Sequence, residues 1–184
     1  MVSPPRASDG LILVIGPCSE AHSANFLVIQ SVKTTESGGP RGFDAAKLVK
    51  GRKRHIITDT GGLLVGAMVH AADIQDRDGA PALLASIRSA FPWLRQVFAD
   101  GGYAGPKLTE ALNKLGTWTL EIVKRSDAAK GFVLLPRRWV VERTFAWLGR
   151  NQRLAKDFEA TIESAEAWLL IASIQLLSRR IARA

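Results

Sequence analysis

The chain has 184 residues, long enough for one domain with a full core and short for two. Hydrophobic residues make up 47% and Cys18 is the lone cysteine, which argues against a disordered tail and excludes an intrachain disulfide or a zinc site built on several cysteines. A reducing, cytoplasmic setting follows from the cysteine count, and the formal net charge of +8 favours a polyanionic partner, most often nucleic acid.

Residues 1–24, with Pro4, Pro5, Gly16 and Pro17 and no clear period, read as an irregular N-terminal segment. The LILVI run at 11–15 is too short for a signal-peptide core. Residues 25–32 read as a strand whose apolar run, Phe26 to Ile29, gives way to polar residues at Gln30. Residues 34–53 read as a loop rich in glycine and basic residues. RHIITDTGGLLVGAMVH (54–70) places two β-type runs around Asp59-Thr60-Gly61-Gly62, a hairpin signal, and completes a three-strand meander.

Leu83, Leu84, Ile87 and Phe91 have helical spacing within 77–91, with Asp76 or Asp78 as N-cap. A short strand, 95–100, runs into Gly101-Gly102. A helix at 106–116 starts on Pro106 and ends on Gly116. Residues 118–125 alternate as a strand does, a helix spans about 137–153, and a last one runs from about 161 to 180. Its apolar stretch AWLLIASIQLL (167–177) is well short of the ~20 residues of a membrane span, so it reads as a core helix. The order implies an α/β fold: a mixed sheet made of a meander followed by βαβ units, with flanking helices and a C-terminal helix.

Two carboxylates stand out. Asp100, in VFADGGYAG (97–105), follows an apolar strand and precedes two glycines, at the edge where open α/β sheets place their sites. Its bland alternative is a loop cap. Glu142, in RRWVVERTFAWLGRNQRLAKDFE, lies on the flank of an apolar stripe of Val141, Phe145 and Leu148; its alternative is a surface charge pair. Basic residues are concentrated in two blocks. The first holds Arg41, Lys47, Lys50, Arg52, Lys53 and Arg54; the second holds Arg137, Arg138, Arg143, Arg150, Arg153 and Lys156. Together they suggest a nucleic-acid channel around the acids, and hence metal-assisted phosphoryl transfer. His22, His55 and His70 show no metal-ligand spacing, and His55 reads as a phosphate contact or a packed residue.

Three segments in order resemble bacterial insertion-sequence transposases of the DDE type, in the insertion-sequence-five superfamily: QSVKTTESGGPRGFDAAKLVKGRKRHIITDTGGLL, VFADGGYAG and RRWVVERTFAWLGRNQRLAKDFE. The likeness runs from about Gln30 to the C-terminus. It implies an RNase H-like catalytic domain over 25–184, an acidic triad holding two Mg²⁺ (or Mn²⁺) ions, and cleavage of transposon ends followed by strand transfer into target DNA. No run suggests a membrane partner, and a homo-oligomer on DNA stands as an alternative to a single subunit. Asp100 matches the family's second acid, Glu142 its third, and Arg138 the basic position of its Arg-x-x-x-Glu pattern.

The first acid departs from the pattern. Where the family reads Asp-Ser-Gln-Ser-Val-Lys, this chain has Val28-Ile29-Gln30-Ser31-Val32-Lys33, so Val28 stands in place of the Asp. The expectation is an impaired transposase, with a non-catalytic DNA-binding remnant or a related metal-dependent nuclease as alternatives. Residues 1–29 are expected to come from another reading frame or junction. Asp44 and Asp59 are the acids to consider as substitutes.

Overall fold

A computed structural model describes residues 24–116, 119–123 and 138–183. The segment 1–23, with Cys18 and His22, lies outside the described residues, as do Arg137 and the side chains of Arg138 and Val141. Among the described residues, six strands form one mixed sheet: β1 (Ala24–Lys33), β2 (Gly42–Asp44), β3 (Val49–Thr58), β4 (Leu64–Ala71), β5 (Gln96–Ala99) and β6 (Thr119–Ile122). Four α-helices accompany them: α1 (Asp76–Ile87), α2 (Pro106–Leu115), α3 (Arg138–Gly149) and α4 (Ile162–Ile181). None of the helices is long and apolar enough to cross a membrane among the described residues.

The expected meander is present. β3 pairs antiparallel with β1 on one side and with β4 on the other, while β1–β5 and β5–β6 are parallel. An antiparallel meander joined to parallel strands, with helices on both faces, is an RNase H-like fold. The hairpin closes at the foreseen turn, where Gly62 has φ +76° and its N–H reaches the Asp59 carbonyl at 3.0 Å. A Cβ at Gly62 would stand 2.8 Å from Thr144 Oγ1 and 3.2 Å from Trp147, so the turn docks tightly under α3.

Period-2 alternation divides the sheet between two cores. Leu27, Ile29, Ile57, Val97 and Ala99 face α1 and α2, meeting Leu83, Leu84, Ile87, Leu108 and Leu112. Ile56, Leu64, Ala67 and Val69 face α4 through Leu169 and Leu170. Phe26 stacks on Phe98 at 5.4 Å between ring centroids, and Val140 of α3 covers the pair.

Four local expectations change. Eight of the twenty residues foreseen as loop at 34–53 are strand, because β3 begins at Val49 and β2 pairs with its start. The N-cap of α1 is Gln75, so Asp76 and Asp78 lie inside the first turn, where the helix dipole favours them. α1 stops at Ile87, although Phe91 beyond it is still buried. α3 stops at Gly149, and its buried stripe is Val140, Thr144 and Leu148, with Phe145 half-buried alongside.

Candidate active site

The parallel register of β1 and β5 sets the site. Phe26 is level with Phe98 and Leu27 with Ala99, so one residue further along lie Val28 and Asp100. Both belong to the alternation that points Phe26 and Phe98 toward α3. Val28 is half-buried and its methyls touch both apolar clusters on that face. Asp100 is exposed beyond the strand end, and its Oδ1 accepts the N–H of Gly102 at 2.9 Å, capping a single 3-10 turn, Gly101–Tyr103. The capping role foreseen as the bland alternative is therefore present, and it leaves Oδ2 for other partners.

α3 is set against these strand ends by Val140, and against the β3–β4 turn by two further bonds. Thr144 Oγ1 meets the Gly62 carbonyl at 3.2 Å, and Arg143 Nη2 donates to the Gly61 carbonyl at 3.0 Å. Glu142 is exposed on this helix, which packs over the sheet face that carries Phe26, Val28 and Phe98. No group of three or more acids, histidines or cysteines is arranged to hold a metal ion among the described residues.

The two candidate substitutes lie elsewhere. Asp59 Oδ1 accepts the Leu63 N–H at 2.8 Å, the turn chemistry expected of it. Asp44 is buried at the end of β2, where it accepts from Ser31 Oγ at 2.6 Å and from the N–H groups of Ala46 and Lys47. Burial pushes its carboxyl up, but those bonds and the nearby Lys53 hold it below the ordinary value. A carboxylate that sequence reasoning passed over is closer to Asp100. An ideal Cβ on Gly102 lies 3.1 Å from Asp100 Oδ1 and 3.3 Å from Asp76 Oδ2, so both acids crowd that glycine. Lys53 Nζ anchors Asp76 Oδ1 at 2.8 Å. The acid-rich start of α1, IQDRD, was the available signal.

The first basic block turns inward rather than out. Arg52 is fully buried: Nη1 pairs with Asp157 Oδ1 at 3.2 Å, and its other donors reach the carbonyls of Pro40, Ala160 and Thr161. Arg54 donates to the carbonyls of Leu154 and Lys156, and Lys53 to Asp76 and the Ile74 carbonyl. These three cations, expected along a DNA channel, instead tie β3 to the segments flanking it. Lys47 and Lys50 are exposed. In the second block Arg150, Arg153 and Lys156 are exposed, Arg143 is half-buried, and Arg138 opens α3. Arg153 pairs with Glu159 at 2.8 Å and lies over Phe158 and Trp168.

His55 packs instead of reaching outward. It is fully buried on β3, 4.6 Å from the His70 ring and 6.0 Å from that of Tyr103. Burial, reinforced by His70 and Lys53, pulls His55 down to about 2, and burial also lowers His70. In the unfolded chain both rings take up a proton near the ordinary histidine value of about 6.5. Their contribution to stability is therefore present above that pH and is lost as pH falls below it. Stability is expected to drop by roughly 1 kcal/mol per pH unit from His55 alone between pH 6.5 and 5. Urea titrations across that range check this, and a pH-independent midpoint would show that the rings protonate in place.

The family model described as the transposase DDE domain matches residues 29–177. A Burkholderia cepacia protein named as a transposase for insertion sequence element IS402 is 32% identical over 138 residues, covering 71% of this chain. The chain spans 64% of that relative's length.

Proposed function

Because the chain belongs to the DDE transposase family, we propose that it is the catalytic domain of an insertion-sequence transposase whose metal site lacks its first acid. The reaction class is metal-dependent hydrolysis of DNA at element ends, followed by attack of the freed 3′-hydroxyl on target DNA. One observation carries the reading: the β1–β5 register sets Val28 beside Asp100, at the edge where the acids of such a site meet.

The donor set fits a divalent ion in part. Asp100 and Glu142 are exposed carboxylates from different elements, and oxygen donors few in number are what Mg²⁺ or Mn²⁺ takes while keeping its waters. The third place is filled by the methyls of Val28, so the residues present fall short of a two-ion site. When bound, such ions would stabilise the attacking and leaving oxygens of an in-line displacement. The chain's own contribution is to hold Asp100 at the strand end, Glu142 on α3 and the exposed cations, among them Lys47, Lys50, Arg150 and Lys156, against the phosphate backbone.

A second reading, a DNA-binding protein without catalysis, is favoured by the same valine. Strand transfer from a pre-cleaved end, in Mg²⁺ or Mn²⁺, separates the two. Any cleavage or joining is expected to fall at least about a hundredfold in Asp100→Asn, since even outer-shell partners of a metal are worth roughly 10–100-fold. Binding to the same DNA is expected to persist. Activity indifferent to Asp100→Asn would remove this acid from the site, whereas binding with no activity in either protein would favour the second reading.

A further inference from the structure

The C-terminal arginines, which the sequence reading left without a role, meet α3 in a pocket of about 240 Å³. Trp147, Arg150 and Asn151 form one wall; Arg179, Arg180 and Arg183 of the α4 end form the other. No Asp or Glu is among the residues that line it. The β3–β4 turn is tied to the second wall through Arg180. Arg143 and Arg180 both donate to the Gly61 carbonyl, at 3.0 and 3.2 Å, and both guanidinium groups lie over the Trp147 ring, at 4.5 and 4.4 Å. Two like charges are thus held together by one carbonyl and one indole. Burial and the neighbouring Arg180 lower Arg143, with Asp59 opposing. Arg150, Arg179 and Arg183 are exposed around them.

We propose that this pocket seats a backbone phosphate of the DNA the enzyme processes. The proposal rests on the DNA-processing reading above and adds to it a place on the strand. A guanidinium cluster matches a phosphodiester, whose oxygens accept forked donors, and an anion would relieve the repulsion inside the cluster. Arg150 follows Glu142 by about two helical turns, roughly 12 Å at 1.5 Å per residue. At 3.4 Å per nucleotide along one strand, that is about three or four nucleotides away from the acid. Trp147 acts as a positioning residue, holding Arg143 and Arg180 through the face of its ring.

The test is the salt dependence of binding to a fluorescein-labelled duplex oligonucleotide, without metal, so that catalysis plays no part. Arg179→Gln/Arg183→Gln is expected to raise Kd by about tenfold near 0.1 M salt and to lower the slope of log K against log salt by about 1, at roughly 0.9 per phosphate contact. Lys107→Gln/Lys114→Gln, which removes equal charge from α2 on the opposite face, is expected to change the slope by less than about 0.5. Gln175→Glu places an acid in the lining without removing an arginine and is expected to weaken binding likewise. Equal loss in the two double variants, or no loss in Gln175→Glu, overturns the pocket and leaves the transposase reading standing. If the unaltered protein binds no DNA, both fall.

Discussion

Val28→Asp is expected to create metal-dependent DNA cleavage, or raise it by roughly a hundredfold or more, because a direct ligand is worth at least what an outer-shell partner contributes. The strand needs no rearrangement. Val28 already lies one step past the Leu27–Ala99 pair, beside Asp100, with its side chain on the α3 face. The substitution has a cost. Val28 touches two apolar clusters, and an unpaired carboxylate there destabilises the apo protein by about 1–3 kcal/mol. A bound ion offsets that cost, since a ligand that binds only the folded state stabilises it in proportion to RT ln(1 + [L]/Kd). Mn²⁺ is therefore expected to raise the melting temperature of Val28→Asp and to leave that of the unaltered protein nearly unchanged. A folded variant that binds DNA, melts independently of Mn²⁺ and cleaves nothing would show that more than this one acid is missing.

Asp157→Ala is expected to cost about 3–5 kcal/mol, the usual consequence of leaving one partner of a buried ion pair uncompensated. Asp157 and Arg52 are both fully buried at the side chain, and Asp157 Oδ1 also accepts the Glu159 N–H at 3.0 Å. A domain holds only about 5–15 kcal/mol in all, so the melting temperature should fall by roughly 6–20 °C. Glu159→Gln is the contrast. Its partner Arg153 is 47% exposed, and such pairs contribute about 0–1 kcal/mol. Arg52→Met/Asp157→Leu removes both charges and should recover part of the loss. A denaturant midpoint for Asp157→Ala no lower than that for Glu159→Gln would show that Asp157 does not hold the buried guanidinium.

Much of the fold was legible because its signals are local. The apolar run at Phe26–Ile29 marked β1, Asp59-Thr60-Gly61-Gly62 marked the hairpin, and Pro106 with Gly116 bracketed α2. Asp100 could be placed at a strand end for the same reason. The first half of β3 was not legible. Gly51-Arg52-Lys53 reads as a basic loop, because a cation in sequence looks the same whether it meets water or a carboxylate 105 residues away. Composition counts charges and carries no direction, so three inward cations were assigned to the DNA face. Arg179 and Arg183 were passed over for the converse reason: they close an apolar helix, and only its packing against Trp147 and Arg150 gathers them into a site.

The inward cations of β3 also govern the timing of assembly. Arg52 and Arg54 belong to a central strand, yet their acceptors lie at 154–161, apart from Pro40. At about 5–20 residues per second, a ribosome delivers that acceptor segment roughly 5–20 s after β3 itself. Until then the nascent chain cannot close its sheet without enclosing two guanidinium groups that have no counterpart. Productive folding is thereby postponed until residues 154–161 have emerged and is made nearly all-or-none, with the incomplete sheet open to aggregation or to chaperones meanwhile.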